Sequence, residues 1–257
     1  MDQKKSGRVG GRRTSLRARV WLAIAAIVVL APTGVMAGDM DEFIAIARGG
    51  ALYDNWAAAL EKASPTTTHP SYPAVGKQSG AATWRCRECH GFDYKGAAGI
   101  NGSGARFTGI KGIDAMAGKD PADIAKIVRD GTHRYTADLL PDSAVQEIAL
   151  FVARGQIDDD QYVDRTTGKA TGDSARGVAQ YRLACFACHG GDGRRINFGN
   201  AAAPEYLGTV ANSNPWSVMH RMRNGLPEAP MLAGILTSLT IADEANILAY
   251  LQTMPAK

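Results

Sequence analysis

Residues 84–91 read WRCRECHG, and residues 183–190 read LACFACHG. The 257-residue chain has four cysteines, and all of them stand in these two stretches, as Cys86, Cys89, Cys185 and Cys188. Each pair encloses two residues and is followed at once by a histidine, His90 or His189. On a helical turn, positions i and i+3 share a side. Each pair therefore offers two sulfurs to one edge of a flat ligand, with the next imidazole projecting beneath it. Other uses of paired cysteines fit less well. One four-sulfur zinc site would leave both histidines unexplained, and 95 residues separate the pairs. A thioredoxin-type dithiol wants a βαβ surrounding, and strand patterns are scarce here.

Cys-x-x-Cys-His is the haem attachment pattern: two thioethers to the ring and an iron bond to the histidine. The expected cofactors are two haem c groups, on Cys86, Cys89 and His90 and on Cys185, Cys188 and His189. With these motifs the chain resembles the c-type cytochromes, specifically dihaem proteins made of two tandem class I cytochrome c domains. The resemblance covers roughly residues 75–155 and 170–257.

A repeat runs around the motifs. Cys86 and Cys185 are 99 positions apart, as are Phe151 and Tyr250 near the ends of EIALFV and NILAYL. IVRDG at 127–131 recurs as RMRNG at 221–225. Asp120 is the expected N-cap of a helix with Pro121 at its first position and Gly131 as its stop. Residues 141–155 place Val145, Ile148, Ala149 and Val152 on one face. NPWSVMHRMRNG and TIADEANILAYLQTM repeat that logic in the second half. The expected fold is all-α: two tandem small helical domains, each wrapped around a covalently attached haem that completes a thin apolar core. The expected division is a signal peptide at 1–37, an N-terminal extension at 38–75, domain 1 at 76–156, a linker at 157–172 and domain 2 at 173–257.

In class I cytochromes a glycine and an aromatic on the first helix let it cross the last helix closely. The second half fits, with Gly177 and Tyr181 four apart before Cys185 and with Tyr250 on the last helix. The first half departs: Ala82 and Gln78 stand at the matching positions before Cys86, with Trp84 nearer the motif. The extension reads as a helix broken at Gly49-Gly50, then the Pro-rich run SPTTTHPSYPAVG. Phe43, Tyr53 and Trp56 argue that it packs over the first domain. The acidic triplet Asp158–Asp160 in the linker reads as solvated.

The first 37 residues carry seven of the 29 basic residues, then the apolar run WLAIAAIVVLA, then small residues at Val35 and Ala37. That is the pattern of an export signal, and the expected location is the periplasm. The apolar run is short for a membrane span, with a retained anchor as the alternative. One of the 25 acidic residues lies in this segment, so the remainder is near −2 although the whole chain is +4. No basic surface for nucleic acid is expected, and membrane contact only transiently, through the signal or a redox partner.

In the family, a second axial ligand comes from the loop before the last helix; methionine raises the potential and histidine lowers it. In GLPEAPMLAG, Met231 is the expected ligand for the second haem, with His220 as its rival and a helix histidine near Trp216 as the other reading of His220. The matching loop of the first half has no methionine. His133 follows His90 by 43 positions, as Met231 follows His189 by 42, and is the expected ligand. An open iron, or Met116, are the alternatives, and His69 is expected to be structural, exposed or near the first haem. Arg106, Arg194 and Arg195 are expected either to pair with haem propionates or to face solvent.

The resemblance implies an exported dihaem cytochrome c that relays single electrons between a redox protein donor and acceptor. The alternative is a dihaem oxidoreductase or the haem subunit of an enzyme, peroxidase-like or acting on sulfur compounds. All four cysteines are spent on attachment, which leaves none for the cysteine-ligated haem of the sulfur-oxidising kind. A peroxidase would need an open or labile iron.

Overall fold

The computed structural model describes residues 37–256, so nearly all of the expected targeting segment lies outside them. Among the described residues the chain is all-α, with isolated bridges and no strand. The helices are α1 (Ala37–Ala59), α2 (Cys86–His90), α3 (Pro121–Val128), α4 (Asp142–Leu150), α5 (Ser174–Ala184), α6 (Phe186–His189), α7 (Leu207–Ser213), α8 (Pro215–Asn224) and α9 (Ile241–Leu251). None of them is long and apolar enough to cross a membrane.

Local chemistry sets several boundaries as the sequence suggests. Asp120 caps α3 by accepting the Ala122 N–H at 2.8 Å, and Pro121 opens the helix. The helix closes at Val128, three residues before Gly131. On α4, Val145, Ile148 and Ala149 are buried, and a wide helical turn over Phe151–Gly155 carries Val152 into the same core. Thr240 caps α9 in a reciprocal arrangement with Asp243.

The apolar side chains gather into two cores. One holds Leu52, Tyr53, Trp56, Trp84, Leu140, Ile148 and Phe151. The other holds Tyr181, Met219, Ile247, Leu248 and Leu251. Tyr162 and Ile241 pack against both.

The two cores are built alike, in a way the sequence repeat does not display. In the second half, a Cβ at Gly177 would run into the Asn246 carbonyl and the Tyr250 side chain, so α5 and α9 cross in direct backbone contact. In the first half the same crossing is made by α1: a Cβ at Gly49 would run into the Glu147 carbonyl and Phe151. Tyr53 stands four residues after Gly49, as Tyr181 stands four after Gly177. The Tyr53 hydroxyl donates to the Gly91 carbonyl at 2.6 Å, and that of Tyr181 to the Gly190 carbonyl at 2.5 Å. Gly91 and Gly190 each follow a motif histidine and end its helix with a positive φ, 79° and 77°. The stretch set apart as an extension thus supplies the helix that Ala82 and Gln78 could not.

The expected break at Gly49-Gly50 does not occur. The helix runs through both glycines and departs from helical geometry at Asn55. The pair is a double contact instead, Gly49 against α4 and Gly50 against Asn224 of α8.

The halves join through buried polar groups. Asp54 has no exposed surface and pairs with Arg87 Nε at 2.7 Å and Arg221 Nε at 2.8 Å. Burial pushes its carboxyl up, but the Arg221 guanidinium, and then that of Arg87, hold it below the usual range. Both guanidiniums lie over the Phe92 ring, at 4.9 and 5.2 Å.

The acidic triplet is not uniformly solvated. Asp158 and Asp160 are exposed, and Asp160 pairs with Lys95 and Arg165. Asp159 is buried, its Oδ1 has no partner, and burial, then the nearby Asp93, push its carboxyl well up.

Glu244 on α9 is likewise buried, with Oε1 3.3 Å from Arg223 and Oε2 unpartnered. Burial raises its carboxyl to about 7. A raised carboxyl favours the folded state most below its unfolded value, and that contribution is lost as pH rises through the folded one. Stability relative to Glu244→Gln is expected to fall by on the order of 2 kcal/mol between pH ~5 and ~8. Urea titrations of both proteins at each pH check this; parallel pH profiles would refute it.

Candidate functional site

The first site is built on α2. Cys86 and Cys89 are half-buried thiols, not joined to each other. Burial raises Cys86 to about 12 and Cys89 to about 11. Cys185 is raised to about 11 in the same way. Redox-active dithiols depend on a lowered thiol pKa, so this shift runs against a thioredoxin-like role.

His90 ends α2. Its Nδ1–H donates to the Lys111 carbonyl at 2.9 Å, which fixes the tautomer and leaves Nε2 with a free lone pair. Burial lowers the ring to about 4, so it is neutral at physiological pH. Facing it is His133, with ring centroids 6.2 Å apart and planes at 31°. Stacked rings would sit much closer. His133 Nδ1 lies 3.1 Å from Asp130 Oδ1. The same oxygen accepts the backbone N–H groups of Thr132 and His133, at 2.8 and 2.9 Å. Both imidazoles therefore spend Nδ1 on second partners and keep Nε2, the pattern of metal-ligating histidines.

The spacing also fits one metal ion between the rings: two metal–nitrogen bonds of about 2 Å and two half-rings of about 1.1 Å span about 6 Å. Among the described residues no three His, Cys, Asp or Glu side chains are grouped to hold a metal ion. A haem iron does not need such a group, because the porphyrin supplies four ligands and the protein one or two.

His69 is buried and uses both nitrogens. Nδ1 accepts the Ser71 N–H at 3.1 Å, and Nε2–H donates to the His133 carbonyl at 2.7 Å. The Ser71 hydroxyl holds the Thr132 carbonyl at 2.5 Å. His69 is thus structural, and it pins the loop that carries His133. Met116 is half-buried against the first core. Sequence reasoning missed Asp130 and the Lys111 carbonyl. The first had a legible signal, an acidic residue able to form a local turn just before the histidine; the second, a backbone group, had none.

The second site is built on α6. His189 ends it, half-buried, with Phe198 as ring neighbour at 6.1 Å. Its Nδ1 is buried without a partner, unlike that of His90. Met231 is half-buried in a tight turn bridged to Leu226, and it packs against the second core. It also lines a cavity of about 280 Å³ with Ile44, Ala47 and Ala51 of α1. The rival His220 is fully engaged elsewhere. Its Nε2–H donates to the Gly50 carbonyl at 3.0 Å, and its Nδ1 accepts the Tyr94 hydroxyl at 2.8 Å. Burial lowers it to about 4. It is a neutral bolt between α1 and α8, more deeply buried than the sequence suggested. Arg106 lies 3.5 Å from Glu88, and Arg195 donates to the Ala187 carbonyl.

No protein-family model matches the chain, and no curated protein matches it either.

Proposed function

We propose that the chain is an exported dihaem cytochrome c that passes single electrons between two redox proteins. The observation that carries this reading is the pairing of His90, at the end of a Cys-x-x-Cys-His helix, with His133 from the loop after α3, spaced for one iron and with both Nδ1 atoms already engaged. Cys86 and Cys89 would hold the first haem, His90 and His133 its iron; Cys185 and Cys188 would hold the second, His189 and Met231 its iron. When bound, haem supplies a one-electron Fe(III)/Fe(II) couple.

The chain's own residues make the two sites unequal. The Lys111 carbonyl accepts from His90 Nδ1–H and raises the donor strength of that ring, whereas His189 Nδ1 has no acceptor. His133 as a further ligand to the first iron and Met231 to the second would act in the same direction, lowering the first potential and raising the second. The downhill order is then first site to second. The buried rings of Tyr53, Tyr94, Phe151 and His220 keep water from the space between α1 and α8.

The test is a spectroelectrochemical titration of the holoprotein with EPR of the ferric form, after weighing it. Two added haem masses, two resolved midpoints and two low-spin ferric signals are expected. A mass equal to the bare polypeptide, or a single midpoint for both haems, counts against the assignment.

A further inference from the structure

The two motif helices can be compared position by position, because they are related by the 99-residue offset. In the first, the outward positions are covered. Trp84 and Arg87 are each 7% exposed and Glu88 5%. Trp84 packs on His69 and Tyr135, and its indole N–H donates to the Thr67 carbonyl. Arg87 is held by Asp54.

The matching positions of the second motif are open. Leu183 is 90% exposed, Phe186 45%, and Ala187 is also exposed. At about 100° per residue along α6, Phe186 and Ala187 lie away from the side that faces the two cysteines. A ring bonded to the two sulfurs would therefore not cover them. Exposed Arg182 adjoins Leu183 in the chain, and exposed Arg195 donates to the Ala187 carbonyl; the exposed Asp192 and Arg194 neighbour Arg195 in sequence, with Arg194 over the Tyr206 ring. This basic rim sits on a chain that is net acidic beyond its first 37 residues.

We propose that this face is the docking surface for a redox protein whose contact patch is apolar at its centre and acidic at its rim, and that the second haem, not the first, exchanges electrons with it. The proposal rests on the electron-relay reading above. A haem held by Cys185, Cys188 and His189 would supply one electron, and the oxidised centre of the docked protein would accept it. Apolar contact supplies the short-lived binding of a transient redox pair, and the arginines raise the encounter rate.

The test uses the full holoprotein and, as probe, a small blue-copper protein with an acidic face. Binding is read by interferometry on immobilised copper protein, and electron transfer to oxidised copper by stopped flow. Wild-type affinity is expected to fall steeply between 10 and 200 mM salt, on the scale set by screening. Leu183→Ser/Phe186→Ser is expected to lose at least ~10-fold in affinity and in rate, and Arg182→Glu/Arg194→Glu to lose a similar factor. Oxidation by ferricyanide should change less than ~2-fold in the serine variant, whose charge is unaltered. Lys119→Glu, an exposed change on the first half, should leave probe binding unaltered.

Salt-independent binding, or serine and arginine variants that bind like wild type, would overturn the docking face. So would a wild-type dimer that the serine variant converts to monomer, because a second copy would then be the occupant. Preparations lacking haem mass, or unable to reduce ferricyanide at all, would sink the relay reading itself.

Discussion

His133→Ala is expected to turn one of two low-spin ferric signals into a high-spin one and to let native protein bind CO or cyanide. The reason lies in the loop, not in the residue type alone. Asp130 accepts three N–H groups from Thr132 and His133, and His69 holds the His133 carbonyl from the other side. The ring is therefore presented to His90 at small further entropic cost. No other imidazole is placed to substitute, since His69 and His220 each have both nitrogens engaged. His133→Met is expected to keep six ligands and to raise the lower midpoint by on the order of 0.1 V, within the range that axial ligands command. His69→Ala should give a mixture, because the loop loses one of its anchors while the ligand remains. An unchanged low-spin spectrum in His133→Ala would transfer the ligand role elsewhere, with Met116 the first residue to examine.

Gly49→Val and Gly177→Val are each expected to cost about 3 kcal/mol or more. Overpacking is usually relieved by a rotamer change or a small shift of a neighbour. Here the obstruction is a backbone carbonyl, of Glu147 in one case and Asn246 in the other, and it gives way only if two helices separate. The Tyr53 and Tyr181 hydroxyls would then be drawn off the Gly91 and Gly190 carbonyls, so the damage reaches both motif helices. Gly131→Ala is the control, since a Cβ there meets nothing within 4 Å. Urea unfolding followed by far-UV dichroism measures all three. A loss below ~1 kcal/mol at both valines would mean that the crossings are looser than described.

Local patterns in this chain were easier to read from its sequence than its architecture. Cys-x-x-Cys-His is a local pattern, so spacing alone exposed both motifs, and reach along the chain pointed to His133, whose ring the fold brings to 6.2 Å from that of His90. The cap of α3 was legible for the same reason. Contacts between distant segments were not. Tyr53 and Tyr181 do equivalent work but stand 128 positions apart, while the motifs stand 99 apart. The first half carries 29 more residues between its first helix and its motif, and a search at constant offset passes over the match. Gly49-Gly50 looked like a break because glycine is a poor helix former; packing on two sides overrode that preference. Asp159 looked solvated because it sits between two acids, and its sequence neighbours carry no sign that the fold closes over it.

Gly50 and His220 meet across 170 residues. A polypeptide emerging from its amino end can lay α1 on α4 but must wait for most of its length before α1 is seated on α8. Contacts of such range form late, since the chain between them has to be ordered first. Until then Cys86 and Cys89 stay reachable, and once α1 settles, Tyr53 locks down beside them. Assembly thus has a built-in order, and under the proposed function cofactor loading of the leading motif would come before final closure.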